Sequence, residues 1–259
     1  MVTSFSLKDR VAVVTGGGQN TGLGIAHTLA AAGAHVIVND IAAERAEEAA
    51  ASVREAGGSA TAAPFDITSY EDVVSAMKRV RSDIGRIDIL VNNAGLPAGS
   101  QMLPFLDTPR NEWNPYLDIN IYGSLHMMHA LLPGMIEQGW GRVVQISSGS
   151  GSVASRGLGG TFYGASKAGI EGAVRHIATE VGPMGVTVNT LALGLMEKLR
   201  DVIESKASPM LNAIWEGNVM QRIGTGEDVG AACLWLCSDA GEFVSGQTIH
   251  LNGGSFSGR

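Results

Sequence analysis

The sequence predicts an α/β chain: a single doubly wound domain whose mainly parallel, seven-stranded sheet is flanked by helices on both faces. Three observations predict it. Seven short apolar runs alternate with segments of helical spacing along the 259 residues. The runs are apolar at consecutive rather than alternate positions, as strands covered on both sides must be. The turn after the first run is rich in glycine and opens straight into a helix.

Val11–Thr15 (VAVVT) is the first strand, ended by glycines and followed by a helix-like stretch from Gly24 to Ala32. His35–Asn39 is the second, and the Ala/Glu/Arg segment from Ala42 to Ala56 is a long helix with a solvated face. Thr61–Pro64 and Asp88–Val91 are the third and fourth strands, with Tyr70–Ile84 helical between them. One continuous helix is expected over Arg110–Leu132. Arg142–Ile146 is the fifth strand, and the helix carrying Tyr163 runs on to Val181. Its Ile170, Ala173, Val174, Ile177 and Val181 recur at helical spacing and give one buried stripe. Val186–Leu191, a helix over Glu227–Cys237 and a last strand at Thr248–Leu251 complete the pattern.

A hydrophobic content of 45% supports one large core, and no linker, repeat or low-complexity run divides the chain. Residues 1–259 are therefore expected to form one domain. The formal charge of −7 argues against nucleic acid or an acidic membrane as partner. The N-terminal MVTSFSLKDR lacks a signal-peptide core and no segment reaches transmembrane length, so a cytoplasmic setting is expected. Cys233 and Cys237, four apart, read as helix packing rather than a disulfide or metal site, and no metal is expected. His126 and His129, three apart, read as an ordinary packed or interface helix.

Chemistry is concentrated between Gln145 and Lys167, where a strand ends, a Gly/Ser loop follows and a helix begins. Tyr163 and Lys167 are four apart, so they share a helix face. A free tyrosine, with a pKa of about 10, is a poor acid or base near neutrality, and an ammonium beside it favours the phenolate. Ser148, at the strand end, offers a hydroxyl to the same reacting oxygen. A tyrosine–lysine pair at this spacing is also a common surface pair, so its weight comes from its setting.

The first turn, Thr15 to Gly24, lets backbone approach a pyrophosphate at a helix N-terminus, although such a turn can also be a tight connection. Asp40 ends the second strand, about where an acidic residue would accept the ribose hydroxyls of NAD and repel the 2′-phosphate of NADP. It can equally cap the next helix. No Lys or Arg lies between Val11 and Glu44 to offset that repulsion, and NAD is the expected cofactor. Asp66-Ile67-Thr68 and Asn92-Asn93-Ala94-Gly95 end the third and fourth strands, at the edge where a Rossmann-type sheet binds ligands.

In this order the motifs resemble those of the short-chain dehydrogenase/reductase family, and the resemblance covers essentially the whole chain. It rests on the Thr15–Gly24 turn, Asp40, Asp66-Ile67, Asn92–Gly95, Asn120 in DINIYG, Ser148, Tyr163 with Lys167, and the tail from Arg222 to Gly254. The resemblance implies that Tyr163 is the catalytic acid/base and that Ser148 polarises the substrate oxygen. Lys167 would bind the nicotinamide ribose and depress the Tyr163 pKa, and Asn120 would position a water beside Lys167. It implies a cofactor site formed by Gly16, Gly18, Asn20, Gly22, Leu23, Asp40, Ile41, Asp66, Ile67, Asn93, Ala94, Gly95, Tyr163, Lys167, Gly194 and Met196. It further implies a homotetramer built on the helices around Arg110–Leu132 and Phe162–Val181 and the C-terminal segment, with a dimer the alternative.

Four departures from the family pattern stand out. The glycine turn is two residues longer than usual, Ser148 and Tyr163 are fifteen apart rather than thirteen, and Leu193-Gly194 replaces the usual Pro-Gly. Where the family has a Thr, this chain has Glu197 or Lys198. Substrate specificity is expected in Leu96–Leu106, Gly149–Thr161 and a lid at about 195–220, where Leu195, Met196, Met210, Leu211, Ile214, Trp215 and Met220 either face a ligand or pack within the lid. Met102, Leu103 and Phe105 add apolar surface. A small to medium, mostly apolar secondary alcohol or ketone is the expected substrate, oxidised or reduced with NAD. The alternatives are a 3-oxoacyl thioester reductase and a cofactor-binding sensor without turnover.

Overall fold

A computed structural model describes residues 4–97, 99–100, 102–154 and 159–256, with 209 and 210 by backbone alone. Its sheet has the order β3-β2-β1-β4-β5-β6-β7, and every strand pairing in it is parallel. The strands are β1 (Val11–Val14), β2 (His35–Val38), β3 (Ser59–Ala62), β4 (Ile89–Asn92), β5 (Gly141–Ser148), β6 (Val186–Leu193) and β7 (Thr248–Leu251). The longer helices are α1 (Asn20–Ala31), α2 (Ala43–Glu55), α3 (Tyr70–Asp83), α5 (Ser124–Glu137), α6 (Thr161–Val181) and α9 (Gly226–Cys237). Short helices α4 (Trp113–Leu117), α7 (Arg200–Glu204) and α8 (Pro209–Glu216) lie in the connections.

The two-sided burial comes from strand alternation, since successive side chains point to opposite faces. In β1, Ala12 and Val14 join a core with α1, α2 and α9, while Val11 and Val13 join a second core with α3, α5 and α6. Cys233 and Cys237 lie in the first core as buried free thiols, and burial raises both pKa values, Cys237 to about 12. Among the described residues no helix is long and apolar enough to cross a membrane.

Element boundaries depart from expectation in several places, β3 among them, which lies at Ser59–Ala62 rather than Thr61–Pro64. Helix α1 begins at Asn20 rather than Gly24, because extended Gln19 ends the turn and Gly22 and Gly24 lie inside the first helical turns. Strands β5 and β6 run on to Ser148 and Leu193, each buried almost to its end. The single helix expected over Arg110–Leu132 is instead a 3-10 turn, then α4, then a π-helical turn over Asp118–Gly123, then α5. The π turn removes the simple 3.6-residue period that the expectation relied on.

The segment expected to act as a lid is built from a 3-10 turn, α7 and α8, tied back by a Met196–Gly224 bridge. Leu195, Ile203 and Ile223 are its buried centre, with Leu199, Leu211, Ile214 and Trp215 packed on them. Of the apolar residues expected to face a ligand, Leu195, Leu211, Ile214 and Trp215 thus serve the lid itself. Met220 is exposed, and the side chain of Met210 lies outside the described residues. Residues 98, 101 and 155–158, within the expected specificity loops, also lie outside them.

Candidate active site

The carboxyl ends of β1, β4 and β5 meet where the strand order reverses, and the candidate residues gather there. Strand β5 delivers Ser148, whose side chain accepts the Ser150 N–H at 3.2 Å and acts on the Tyr163 phenol to lower its pKa. Gly160, at φ +75°, turns the chain into α6, which places Tyr163 and Lys167 on the face toward the sheet. Lys167 is 2% exposed. Its Nζ donates to the Ile146 carbonyl at 3.0 Å and stands 5.7 Å from the Tyr163 ring centre.

The π turn inserts Asn120 into the same space. Its Nδ2 donates to the Tyr116 carbonyl at 3.0 Å. Its Oδ1 is buried and has no hydrogen-bond partner among the described residues. A Cβ at Gly95 would stand 2.7 Å from Lys167 Nζ and 2.9 Å from Asn120 Oδ1, so both polar atoms converge on that glycine. Tyr116 faces Tyr163 edge-on at 6.2 Å between ring centres.

The expectation that Lys167 depresses the Tyr163 pKa is corrected. Burial raises the phenol pKa, only partly opposed by Ser148. Burial also lowers Lys167 to about 8, with Glu171 pulling the other way. The physical reason is that the ammonium is spent on the Ile146 carbonyl, while the phenol sits where a phenolate is poorly solvated.

At the cofactor end, Gly16 has φ +58°, and a Cβ there would come within 3.0 Å of the Ala94 Cα. Asn20 opens α1 at φ +48°, and Gln19 before it makes no side-chain cap, leaving the first-turn N–H groups of the helix uncapped. Gly22 and Leu23 lie in that turn. Asn93 plays a different part from the one expected: its Nδ2 donates to the Thr15 and Gly16 carbonyls, both at 3.0 Å, so its side chain braces the turn. Ile67 is 5% exposed and turned into the core, where its carbonyl accepts from His126 Nδ1 at 3.0 Å. Asp66 accepts the Thr68 N–H at 2.8 Å. Gly194 is bonded through its N–H to the Leu251 carbonyl, and Met196 is half-buried against Gly224.

Asp40 is buried, and its Oδ1 accepts from the Ala42 N–H at 3.0 Å and from Arg45 Nη2 at 2.6 Å. The absence of a base near Asp40, argued from Val11 to Glu44, is therefore corrected: Arg45 is the next residue. Asp40 Oδ2 faces the glycine turn, where a Cβ at Gly18 would lie 2.6 Å from it. That clearance, the uncapped helix start and the exposed Ile41 beside Asp40 fit a dinucleotide laid across the switch point.

A family model described as "Enoyl-(Acyl carrier protein) reductase" matches residues 18–255. The chain belongs to the short-chain dehydrogenase/reductase family. Relatives in this family include the 7alpha-hydroxysteroid dehydrogenase of Escherichia coli K12, 33% identical over 97% of this chain and 96% of its own. The 3-oxoacyl-[acyl-carrier-protein] reductase FabG of Pseudomonas aeruginosa is 32% identical over 97% of this chain and 99% of its own. A solved 7α-hydroxysteroid dehydrogenase, complexed with NADH and 7-oxo glycochenodeoxycholic acid, superposes with a TM-score of 0.86 at 32% identity, covering 96% and 95% of the two chains. A gluconate 5-dehydrogenase from Burkholderia cenocepacia, in complex with NADP and tartrate, superposes at 0.89 with 29% identity over 97% and 96%. Family members thus bind either nicotinamide cofactor.

Two residues at the site of this short-chain dehydrogenase/reductase escaped the sequence reading. Arg45 lay one position outside the stretch searched for bases. Glu171, hydrogen-bonded to Ser147 at 2.6 Å, was legible only as one more polar residue of a long helix. Its spacing of four from Lys167 was the available signal.

Proposed function

We propose that this oxidoreductase interconverts a secondary alcohol and a ketone with NAD, using Tyr163 as the acid/base. The observation that carries the reading is the placement of Tyr163 and Lys167 one turn apart on α6, with Lys167 buried and its Nζ 5.7 Å from the phenol ring centre, beside the end of β5 that carries Ser148. The bound cofactor supplies the hydride acceptor or donor. Tyr163 holds the proton at Oη, and burial keeps it there at neutral pH. It is therefore set to protonate a ketone oxygen, and alcohol oxidation gains as pH rises and phenolate forms. Ser148 donates a second hydrogen bond to the same oxygen and stabilises its developing charge. Lys167 binds the nicotinamide ribose, with Asn120 and Gly95 closing the space beside it.

Asp40 accepts the ribose hydroxyls through the oxygen facing Gly18, which supports NAD. Arg45 weakens that preference without removing the carboxylate, and together with the likeness to FabG it favours the second reading, an NADP-using 3-oxoacyl thioester reductase. An apolar, ring-bearing substrate fits the exposed Leu96, Met102, Phe105, Val219 and Met220 at the carboxyl edge of the sheet, with the lid over residues 195–220 closing on it. Assembly as a homotetramer in the cytoplasm completes the proposal.

A panel of secondary alcohols, followed by reduced-cofactor absorbance with NAD and NADP in parallel, tests the substrate class. Tyr163→Phe is expected to cut turnover by about 10²- to 10⁴-fold while leaving cofactor affinity nearly unchanged. Retained turnover in that variant would sink the assignment of Tyr163.

A further inference from the structure

One buried carboxylate takes no part in the chemistry above. Glu171 lies one turn beyond Lys167 on α6 and is 6% exposed. Its Oε1 accepts a 2.6 Å hydrogen bond from Ser147 Oγ, on the strand residue next to Ser148. The loop after β5 closes over it, since a Cβ at Gly151 would stand only 2.9 Å from that oxygen. A helix face turned to a sheet is ordinarily apolar, and a buried carboxylate is costly unless a cation or hydrogen bonds compensate it. Here the direct compensation is the Ser147 hydroxyl, and the ammonium of Lys167, one turn back on the same helix and bonded to the Ile146 carbonyl, acts on the carboxylate at longer range.

We propose that Glu171 is a positioning residue: it is the buried counter-ion that keeps Lys167 an ammonium, and through Ser147 it steadies the strand end carrying Ser148. The inference rests on the roles proposed above for Lys167 and Tyr163. The groups facing Lys167 are Tyr163 and Glu171 from its own helix, the Ile146 carbonyl from β5, Gly95 after β4 and Asn120 from the π turn. The groups facing Glu171 are Ser147 and the Gly151 loop; Arg175, one turn further on, is exposed and lies over Gly172. Glu171 is therefore the carboxylate that opposes desolvation of this lysine. With Lys167 at about 8, its charge is held by a narrow margin at neutral pH. A lysine is charged below its pKa, so removing the carboxylate makes it neutral at a lower pH.

The test needs no substrate. Fluorescence titration of NADH or NADPH, whichever the unaltered protein binds more tightly, is carried from about pH 6 to about pH 10, spanning the range in which a buried lysine titrates. In Glu171→Gln, which keeps an acceptor for Ser147 and loses only the charge, the pH at which affinity falls is expected to drop by about one unit. Glu171→Asp, which keeps the charge, is expected to restore most of that shift. Ser147→Ala is expected to leave the midpoint at or above its normal value. A midpoint unmoved in Glu171→Gln, or lowered as far by Ser147→Ala, overturns the proposal. Failure of the underlying assignment looks different: Lys167→Ala would then leave both affinity and its pH dependence unchanged.

Discussion

At Asp40 two charges, not one, stand at the proposed ribose end of the cofactor site. The carboxylate is buried and holds Arg45 at 2.6 Å, but the guanidinium side is 43% exposed. An ion pair so open to water contributes little to stability. Arg45 is thus free to leave Asp40 for a 2′-phosphate at small cost, which narrows the discrimination that Asp40 alone would impose. Arg45→Ala is expected to widen the preference for NADH over NADPH by about fivefold or less, as suits a solvent-exposed charge. Parallel fluorescence titrations of the two cofactors measure it; an unchanged ratio would leave Arg45 a mere helix-surface partner of Asp40. Most of this site is legible in the sequence, because Ser148, Tyr163, Lys167 and Asp40 are set by spacing along single elements. What is not legible is where each charge is spent. Nothing in the spacing of Tyr163 and Lys167 reveals that the ammonium turns to the Ile146 carbonyl and that burial governs the phenol.

Among the elements, α1 and α9 show a glycine used for approach rather than for a ligand. A Cβ at Gly24 would run into the backbone of Gly226, so the two helices touch with no side chain between them. This contact sets the start of α1 against the switch point, and α9 is held in place by a capping box between Thr225 and Asp228. The pKa of Asp228 is lowered to about 2, chiefly by its bond to Arg222. Gly24→Ala is expected to cost about 2 kcal/mol through overpacking, or roughly 5 °C in melting temperature for a chain of this length. It should also weaken cofactor binding, because the helix start shifts with it. Gly226→Ala, whose Cβ would stop 3.0 Å from the Gly24 Cα, should cost less. Equal melting temperatures for Gly24→Ala and the unaltered protein would refute the close-contact account. The sequence signals that a glycine-rich turn opens a helix, but not that its last glycine serves α9, since that contact joins residues some two hundred positions apart. The π turn at Asn120 is hidden for a related reason, because it breaks the period on which helix recognition depends.

Among the described residues, exposed large apolar side chains such as Phe5 and Phe243 stand away from the candidate site, but several others follow the strands that build it. Leu96, Met102, Phe105 and Leu106 follow β4, Val153 follows β5, and Val219 and Met220 follow β6, all at the carboxyl edge that carries Tyr163. Doubly wound topology places every such loop at one end of the sheet, so a pattern scattered along the chain becomes one apolar rim around the chemistry. Most of the proposed lid's other apolar residues are spent on its own small core, which leaves Val219 and Met220 exposed as the surface it would offer a ligand. Met220 is 62% exposed, and its contacts to Gly253 and Asn218 run through its backbone N–H, so its side chain can change at little cost to folding. Met220→Asp should therefore raise KM for a ring-bearing alcohol about tenfold, the effect of losing roughly half of a buried apolar side chain's contribution. Its kcat and cofactor affinity should hold, because Tyr163, Lys167 and Asp40 are untouched. Steady-state kinetics on the best alcohol of the panel decide the matter. If KM does not move, the substrate is held instead by the loops after β4 and β5, and the lid closes over it without touching its ring.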